Sequence, residues 1–170
     1  MLIEDFTTQR LGVTAWRTIL QCSEQRTALE QDLALILTPN VLAPLPEPLQ
    51  MPRGTSQIAA WIQAREAESD VFSVSDLNSG LLLGLLILAH DDAQTVHLGY
   101  MLADAAWGRG YATEVIRGLL RATPEGQGVT FVAGVNFDNP ASYGVLLKCG
   151  FAISQELSAP GTRFYTYTVA

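Results

Sequence analysis

Cysteine is nearly absent from this 170-residue chain, and two thiols, Cys22 and Cys149, are too few for a disulfide framework. No CxxC pair or His-rich spacing accompanies them, so no metal is expected and both are read as core thiols. Cations are scarce too: ten Lys and Arg stand against seventeen Asp and Glu, a formal net charge of −7. A nucleic-acid surface needs clustered cations, so no nucleic-acid partner is expected, and the field suits a cationic partner or substrate better. Long apolar runs are also missing. The most apolar segment, residues 81–89, is about half of what a membrane helix needs and reads as a buried strand. The first residues, Met1-Leu2-Ile3-Glu4-Asp5, show no basic stretch followed by an apolar one, so neither a signal peptide nor a membrane partner is expected and the reading is a cytoplasmic protein.

What is present is apolar material for one sizeable core, with 48% hydrophobic and 16% charged residues. A single domain over residues 1–170 is expected. Residues 8–15 alternate as a strand does, and residues 18–37 carry Leu20, Leu29, Leu33 and Ile36 at helical intervals, as one or two helices. Five of the eight prolines fall in residues 39–52, which predicts no regular structure there. A loop of that length is either a plain surface connection or a cover over a binding site. Thr55 or Ser56 can cap a helix that runs to about Ser69.

Strands are expected at 71–74 and 81–90, joined by a turn at 76–80 into a hairpin, and again at 95–102. A helix over 112–120 follows, with Val115, Ile116, Leu119 and Leu120 on one face, and then a strand over 129–135. Strand, helix and strand in that span make a right-handed crossover, so these two strands should be parallel and the sheet mixed. A helix over 139–148 and a closing antiparallel pair, 151–157 with 163–169, complete an α+β (mixed α/β) domain. Its twisted sheet should hold roughly six to seven strands, flanked by about four helices.

Gly108 and Gly110 lie between a strand and a helix, where bare backbone can turn sharply and approach a ligand. The first N–H groups of the following helix lack internal partners and carry partial positive charge, so they form an anion site, with Arg109 at its rim. On spacing alone, an empty structural turn fits as well. It is not a Walker loop, because Gly-Lys-Ser/Thr is missing, and it lacks the GxGxxG of a dinucleotide fold.

Two segments carry a family resemblance. His97-Leu98-Gly99-Tyr100-Met101-Leu102 followed by Trp107-Gly108-Arg109-Gly110-Tyr111-Ala112-Thr113-Glu114 resembles the central motif of GNAT acetyltransferases, in their RimJ/RimL-like branch. Asn139-Pro140-Ala141-Ser142 followed by Lys148-Cys149-Gly150-Phe151 resembles that branch's second motif, in the right order. The resemblance covers residues 94–151, with fainter echoes in Thr8-Gln9-Arg10-Leu11 and Trp61-Ile62. It implies a GNAT fold and an acetyl-CoA-dependent N-acetyltransferase acting on a primary amine, either a protein N-terminus or a small molecule, and it leaves a homodimer open. It further implies that the backbone around Met101 and Leu102 hydrogen-bonds the pantetheine arm. The N–H groups of Gly108, Arg109, Gly110, Tyr111, Ala112 and Thr113 would then hold the pyrophosphate, and Asn139 would lie near the CoA arm. Trp107 is expected to pack rather than bind.

Local chemistry explains part of the second motif: Asn139 and Pro140 start a helix, and Gly150 with Phe151 stops it. Many GNAT enzymes have a Tyr acid four residues before the Gly-Phe pair, and here that position is Leu146. In the resembled branch a Ser early in this helix is the acid, and Ser142 matches it; the same hydroxyl could instead simply bond the helix N-terminus. Tyr143, about 100° further round, should point elsewhere. Acetyl transfer needs a neutral amine, and His97 is the candidate base, acting directly or through water. Glu114 sits in a first helical turn, where a carboxylate is favourable anyway, and is read as structural. His90, beside Asp91 and Asp92, is read as exposed. Leu146 also motivates the alternative of a catalytically silent CoA-binding module. A plain interaction domain predicts no CoA binding.

Overall fold

A computed structural model describes residues 3–45, 49–50, 58–92 and 94–170. Two short N-terminal strands, β1 (Phe6–Thr7) and β2 (Leu11–Ala15), lead into helices α1 (Trp16–Ile19), α2 (Ser23–Ile36), α3 (Pro39–Leu42) and α4 (Ile58–Glu68). Then come strands β3 (Asp70–Asp76), β4 (Leu82–His90) and β5 (Thr95–Leu102), helix α5 (Tyr111–Ala122) and strand β6 (Thr130–Asn136). Helix α6 (Pro140–Lys148) and strands β7 (Ala152–Ala159) and β8 (Thr162–Thr168) close the chain.

All strands join one sheet in the order β1-β2-β3-β4-β5-β6-β8-β7. Its one parallel contact is β5 with β6, as the crossover through α5 predicts. The sheet is mixed, with eight strands and six α-helices among the described residues, more than the pattern suggested. The extra elements are those too short for periodicity to reveal: β1 has two residues, and α1 and α3 have four each. The closing pair forms as expected, but β8 rather than β7 lies against β6.

Strand alternation sorts the core onto two faces. Leu86, Leu88, Val96 and Leu98 pack with Val115, Ile116 and Leu119 of α5 and Leu146 of α6. Leu85, Ile87 and Met101 face the other way, against Leu29, Leu33 and Ile36 of α2 and Trp61 and Ile62 of α4. Trp16 and Trp61 meet edge to face there, 6.1 Å apart, and the Trp16 indole donates to Ser73 Oγ at 2.9 Å.

Two expectations are corrected. Cys22 is exposed, because it precedes the first residue of α2 instead of joining the apolar face of Leu29, Leu33 and Ile36; only Cys149 is a buried thiol. The proline-rich stretch does hold regular structure, since Pro39 occupies the first turn of α3, where a missing N–H costs nothing, and Thr38 Oγ1 accepts from Val41 N at 3.3 Å. Much of the rest of that stretch, residues 46–48 and 51–52, lies outside the described residues, as do the proposed caps Thr55 and Ser56.

Candidate active site

Strand β5 is longer than its partnership with β6. The two pair only over Thr95–Thr130, Val96–Phe131 and His97–Val132, after which they diverge. Just beyond the two ends of β5, Ala103 N donates to Leu83 O of the β4 side, whereas Gln94 O accepts from Thr130 N of the β6 side. Backbone groups alternate edges along a strand, so Leu98, Tyr100 and Leu102 turn theirs toward the gap. Of the pair expected to meet a pantetheine arm, Leu102 faces the gap and Met101 uses its backbone groups on β4. The Leu102 carbonyl is already engaged by the Trp107 indole N–H at 2.8 Å. Trp107 is otherwise half exposed, so its ring latches the end of β5 to the following turn.

Beside the divergence lies a cavity of about 370 Å³. Pro44, Leu45, Leu49, Ile87 and Phe164 form apolar walls, and His97, Tyr100, Asn139 and Ser142 supply polar groups. The fold thus gathers both sequence-predicted catalytic candidates and Asn139 around one space. His97 is exposed, with Nε2 3.7 Å from Asp91 Oδ2. His90 is exposed as expected and contacts Asp70 at 3.0 Å.

Helix α6 is built as its sequence implies. Asn139 Oδ1 accepts from Ser142 N at 3.2 Å, Pro140 takes the first turn, and Gly150 is left-handed at φ +90°. Phe151 N then reaches back to Leu146 O at 3.1 Å. Leu146 is fully buried in the core and Tyr143 packs against the same core, so neither faces the cavity.

A phenol does reach α6, from β5. Tyr100 Oη donates to Ser142 O at 3.1 Å and lies 2.8 Å from Ser142 Oγ. A phenol has one proton, so with it committed to the carbonyl the second contact is donated by the serine hydroxyl. Burial pushes the Tyr100 phenol up to about 12, partly offset by the Ser142 hydrogen bond, and keeps it neutral. Tyr100 lies inside the motif, but nothing in its local sequence marks a role for it, because its meeting with Ser142 spans 42 residues and two elements.

At the far end of β5 is the glycine turn. Gly108 and Gly110 are left-handed at φ +71° and +79°, and Gly110 caps α5. The first helical bond runs from Glu114 N to Gly110 O, so the N–H groups of residues 108–113 find no protein acceptor among the described residues. A Cβ at Gly108 would meet nothing within 4 Å, so the outer side of the turn is open. The N-terminal echo of the motif lies against this turn: Glu114 Oε1 accepts from Thr8 Oγ1 at 2.6 Å and Arg10 N at 2.8 Å, and Glu114 Oε2 from Arg10 Nε at 2.7 Å. Desolvation pulls the Glu114 carboxyl upward, but those hydrogen bonds and the Arg10 charge outweigh it and hold it below its usual range.

With the splayed strands, the open turn and the hydroxyl pair located, the comparisons are decisive about kinship. The family model for the acetyltransferase (GNAT) domain matches residues 26–152. This chain is a GNAT acetyltransferase. No curated protein matches it by sequence. Solved structures do match it by fold. One is RimL, the ribosomal L7/L12 alpha-N-protein acetyltransferase in complex with coenzyme A, at TM-score 0.71 and 18% identity, covering 98% of each chain. A GNAT-family acetyltransferase from Bacillus anthracis has TM-score 0.74 and 14% identity over 96% of this chain and 98% of that one. Spermidine N-acetyltransferase from Vibrio cholerae, in complex with CoA and spermine, has TM-score 0.66 and 15% identity over 94% and 95%. At these identities the likeness is one of fold, in keeping with a RimJ/RimL-like branch. Among the described residues, no helix of this acetyltransferase is long and apolar enough to cross a membrane, and no cluster of side chains is suited to hold a metal.

Proposed function

We propose that this acetyltransferase takes its acetyl group from acetyl-CoA and passes it directly to a primary amine. The observation that carries this reading is the divergence of β5 from β6, which leaves a free strand edge between the open turn and the cavity holding His97, Tyr100 and Ser142. In it, residues 108–113 hold the pyrophosphate with backbone N–H groups at the positive end of α5, and the thioester reaches the cavity along the edge of β5. Asn139 lies beside the CoA arm.

The acceptor must lose a proton before or as it attacks, since a lysine-like amine titrates near 10.4 and an α-amine near 7.7 to 8.0. His97 takes that proton directly or through water. The amine nitrogen bonds the acetyl carbon, the C–S bond breaks, and the leaving thiolate receives the Ser142 hydroxyl proton. Ser142 regains its proton from water, and Tyr100, whose own proton is held by the Ser142 carbonyl, accepts from that hydroxyl and positions it. No covalent enzyme intermediate is needed, and Cys149 is buried, its thiol pushed up by burial with Arg117 pulling the other way.

RimL acts on a protein α-amine and the Vibrio enzyme on spermidine, so both acceptor classes are open to this chain. Its cavity favours an α-amine. The described lining includes no carboxylate to meet a polyamine's second cation, and burying an unpaired charge is costly. The first test is thermal denaturation with acetyl-CoA, which at 100 times its dissociation constant should add about 2.7 kcal/mol of stability. Thiol release is then followed over N-terminal peptides and small amines. Binding without turnover on any amine would instead support a catalytically silent CoA-binding module, which the buried Leu146 at the usual acid position favours.

A further inference from the structure

We infer that Arg10, from the N-terminal hairpin, is the positioning residue that makes the glycine turn fit for a phosphate. The inference rests on the reading of that turn as the CoA pyrophosphate site. Three observations converge on Arg10. Its guanidinium donates to the Arg109 backbone carbonyl through both terminal nitrogens, at 3.1 and 3.2 Å, in the middle of the turn. The same group meets Glu114 through Nε at 2.7 Å and Nη2 at 2.6 Å. Its carbon lies 4.3 Å above the ring of Tyr111, the first residue of α5.

These contacts answer two physical problems that the turn poses. The first is conformational. Two left-handed glycines flank Arg109, and nothing in their own side chains prevents that peptide from rotating. Pinning the Arg109 carbonyl on the protein side directs the neighbouring N–H groups outward, toward an anion. The second is electrostatic. Glu114 lies in the first turn of α5, so its carboxylate faces the same positive helix end that a pyrophosphate would use. An uncovered carboxylate there competes with the ligand for that field and repels it. Thr8 and the Arg10 backbone N–H hold the carboxylate in place, and the Arg10 guanidinium neutralises it. The arginine fork is what allows one side chain to serve both a carbonyl and a carboxylate; an ammonium point charge lacks that geometry.

The test is calorimetric titration of the full-length protein with CoA, alongside steady-state kinetics for the donor, in wild type, R10Q, R10K, E114Q and the R10Q/E114Q pair. R10Q should weaken CoA binding about tenfold and raise the donor KM to match, with kcat at saturating donor within about twofold, since a charge at a helix terminus acts at that scale. Removing the carboxylate as well should recover the electrostatic part of the loss and leave a several-fold deficit from the unpinned Arg109 carbonyl, a split that loss of structure alone would not produce. If R10Q does not fold, R10K carries the test: it keeps the charge, loses the fork, and should weaken CoA several-fold. Unchanged affinity in both variants overturns the proposal. Equal weakening with and without Glu114 also overturns it, because Arg10 would then be a phosphate ligand in its own right. Failure of the wild type to bind CoA removes the donor reading itself, an outcome distinct from either.

Discussion

Tyr100 and Ser142 define the chemistry at the scale of single residues. With Leu146 buried in the core, the proton donor of this acetyltransferase depends on a hydroxyl pair assembled from β5 and α6. Ser142→Ala should lower kcat while leaving CoA affinity nearly intact; an unchanged kcat removes Ser142 from the mechanism. Tyr100→Phe should also lower kcat, and should cost about 1 kcal/mol of stability through the lost hydrogen bond. The same phenol governs alkaline stability. Its folded pKa is raised, to about 12 from an ordinary 10.0, so its contribution is complete below pH 10 and is lost as pH rises toward 12. Melting temperatures measured across that window should fall more steeply in wild type than in Tyr100→Phe. Parallel profiles would refute the assignment.

Among the elements, α5 carries the most constraint, because its N-terminus forms the turn and its flank receives the N-terminal hairpin. Gly118 lies in the helix interior, where alanine would normally be preferred by about 1 kcal/mol. Here a Cβ would come within 2.7 Å of Thr8 Cγ2 and 2.8 Å of the Phe6 ring. Overpacking of that kind costs about 1–3 kcal/mol, so Gly118→Ala should lower the unfolding free energy in spite of its better helix propensity. A higher denaturation midpoint would show that β1 yields easily. Gly110→Val should abolish CoA binding, since a β-branched residue is strained at φ +79° and its Cβ, 3.7 Å from Arg10 Nη2, would press on the side chain that holds the turn. Calorimetry with CoA reads this directly. These elements were legible to different degrees: β5, α5 and α6 announced themselves by periodicity and capping residues, whereas β1, α1 and α3 are too short for any repeat to register.

Over the whole molecule, the N-terminal hairpin and α5 are clamped together by contacts spanning 104 residues of sequence. The clamp makes stability depend on acid. Glu114 has a depressed folded pKa, so its contribution is present above the ordinary carboxylate range and is lost as pH falls through the lowered value. Melting temperature should therefore drop on acidification, and part of that slope should vanish in E114Q. An identical slope in the variant would assign the acid sensitivity to other carboxylates. The same long-range closure builds the site. The cavity draws its walls from the segment after α3, from β4 and β5, and from β6, α6 and β8.

Much of this protein was determined locally. The glycine turn, the Asn-Pro start and Gly-Phe stop of α6, and the crossover that makes β5 and β6 parallel all follow from neighbouring residues, because capping, left-handed glycine and chain handedness act within a few positions. What only the tertiary structure decided are the encounters: Tyr100 with Ser142, Arg10 with Arg109 and Glu114, and the extent to which β5 parts from β6. Each depends on register and on packing across the sheet, where a single residue's shift turns a side chain to the opposite face. For that reason the sequence could name the turn and the serine, and only the fold could supply their partners.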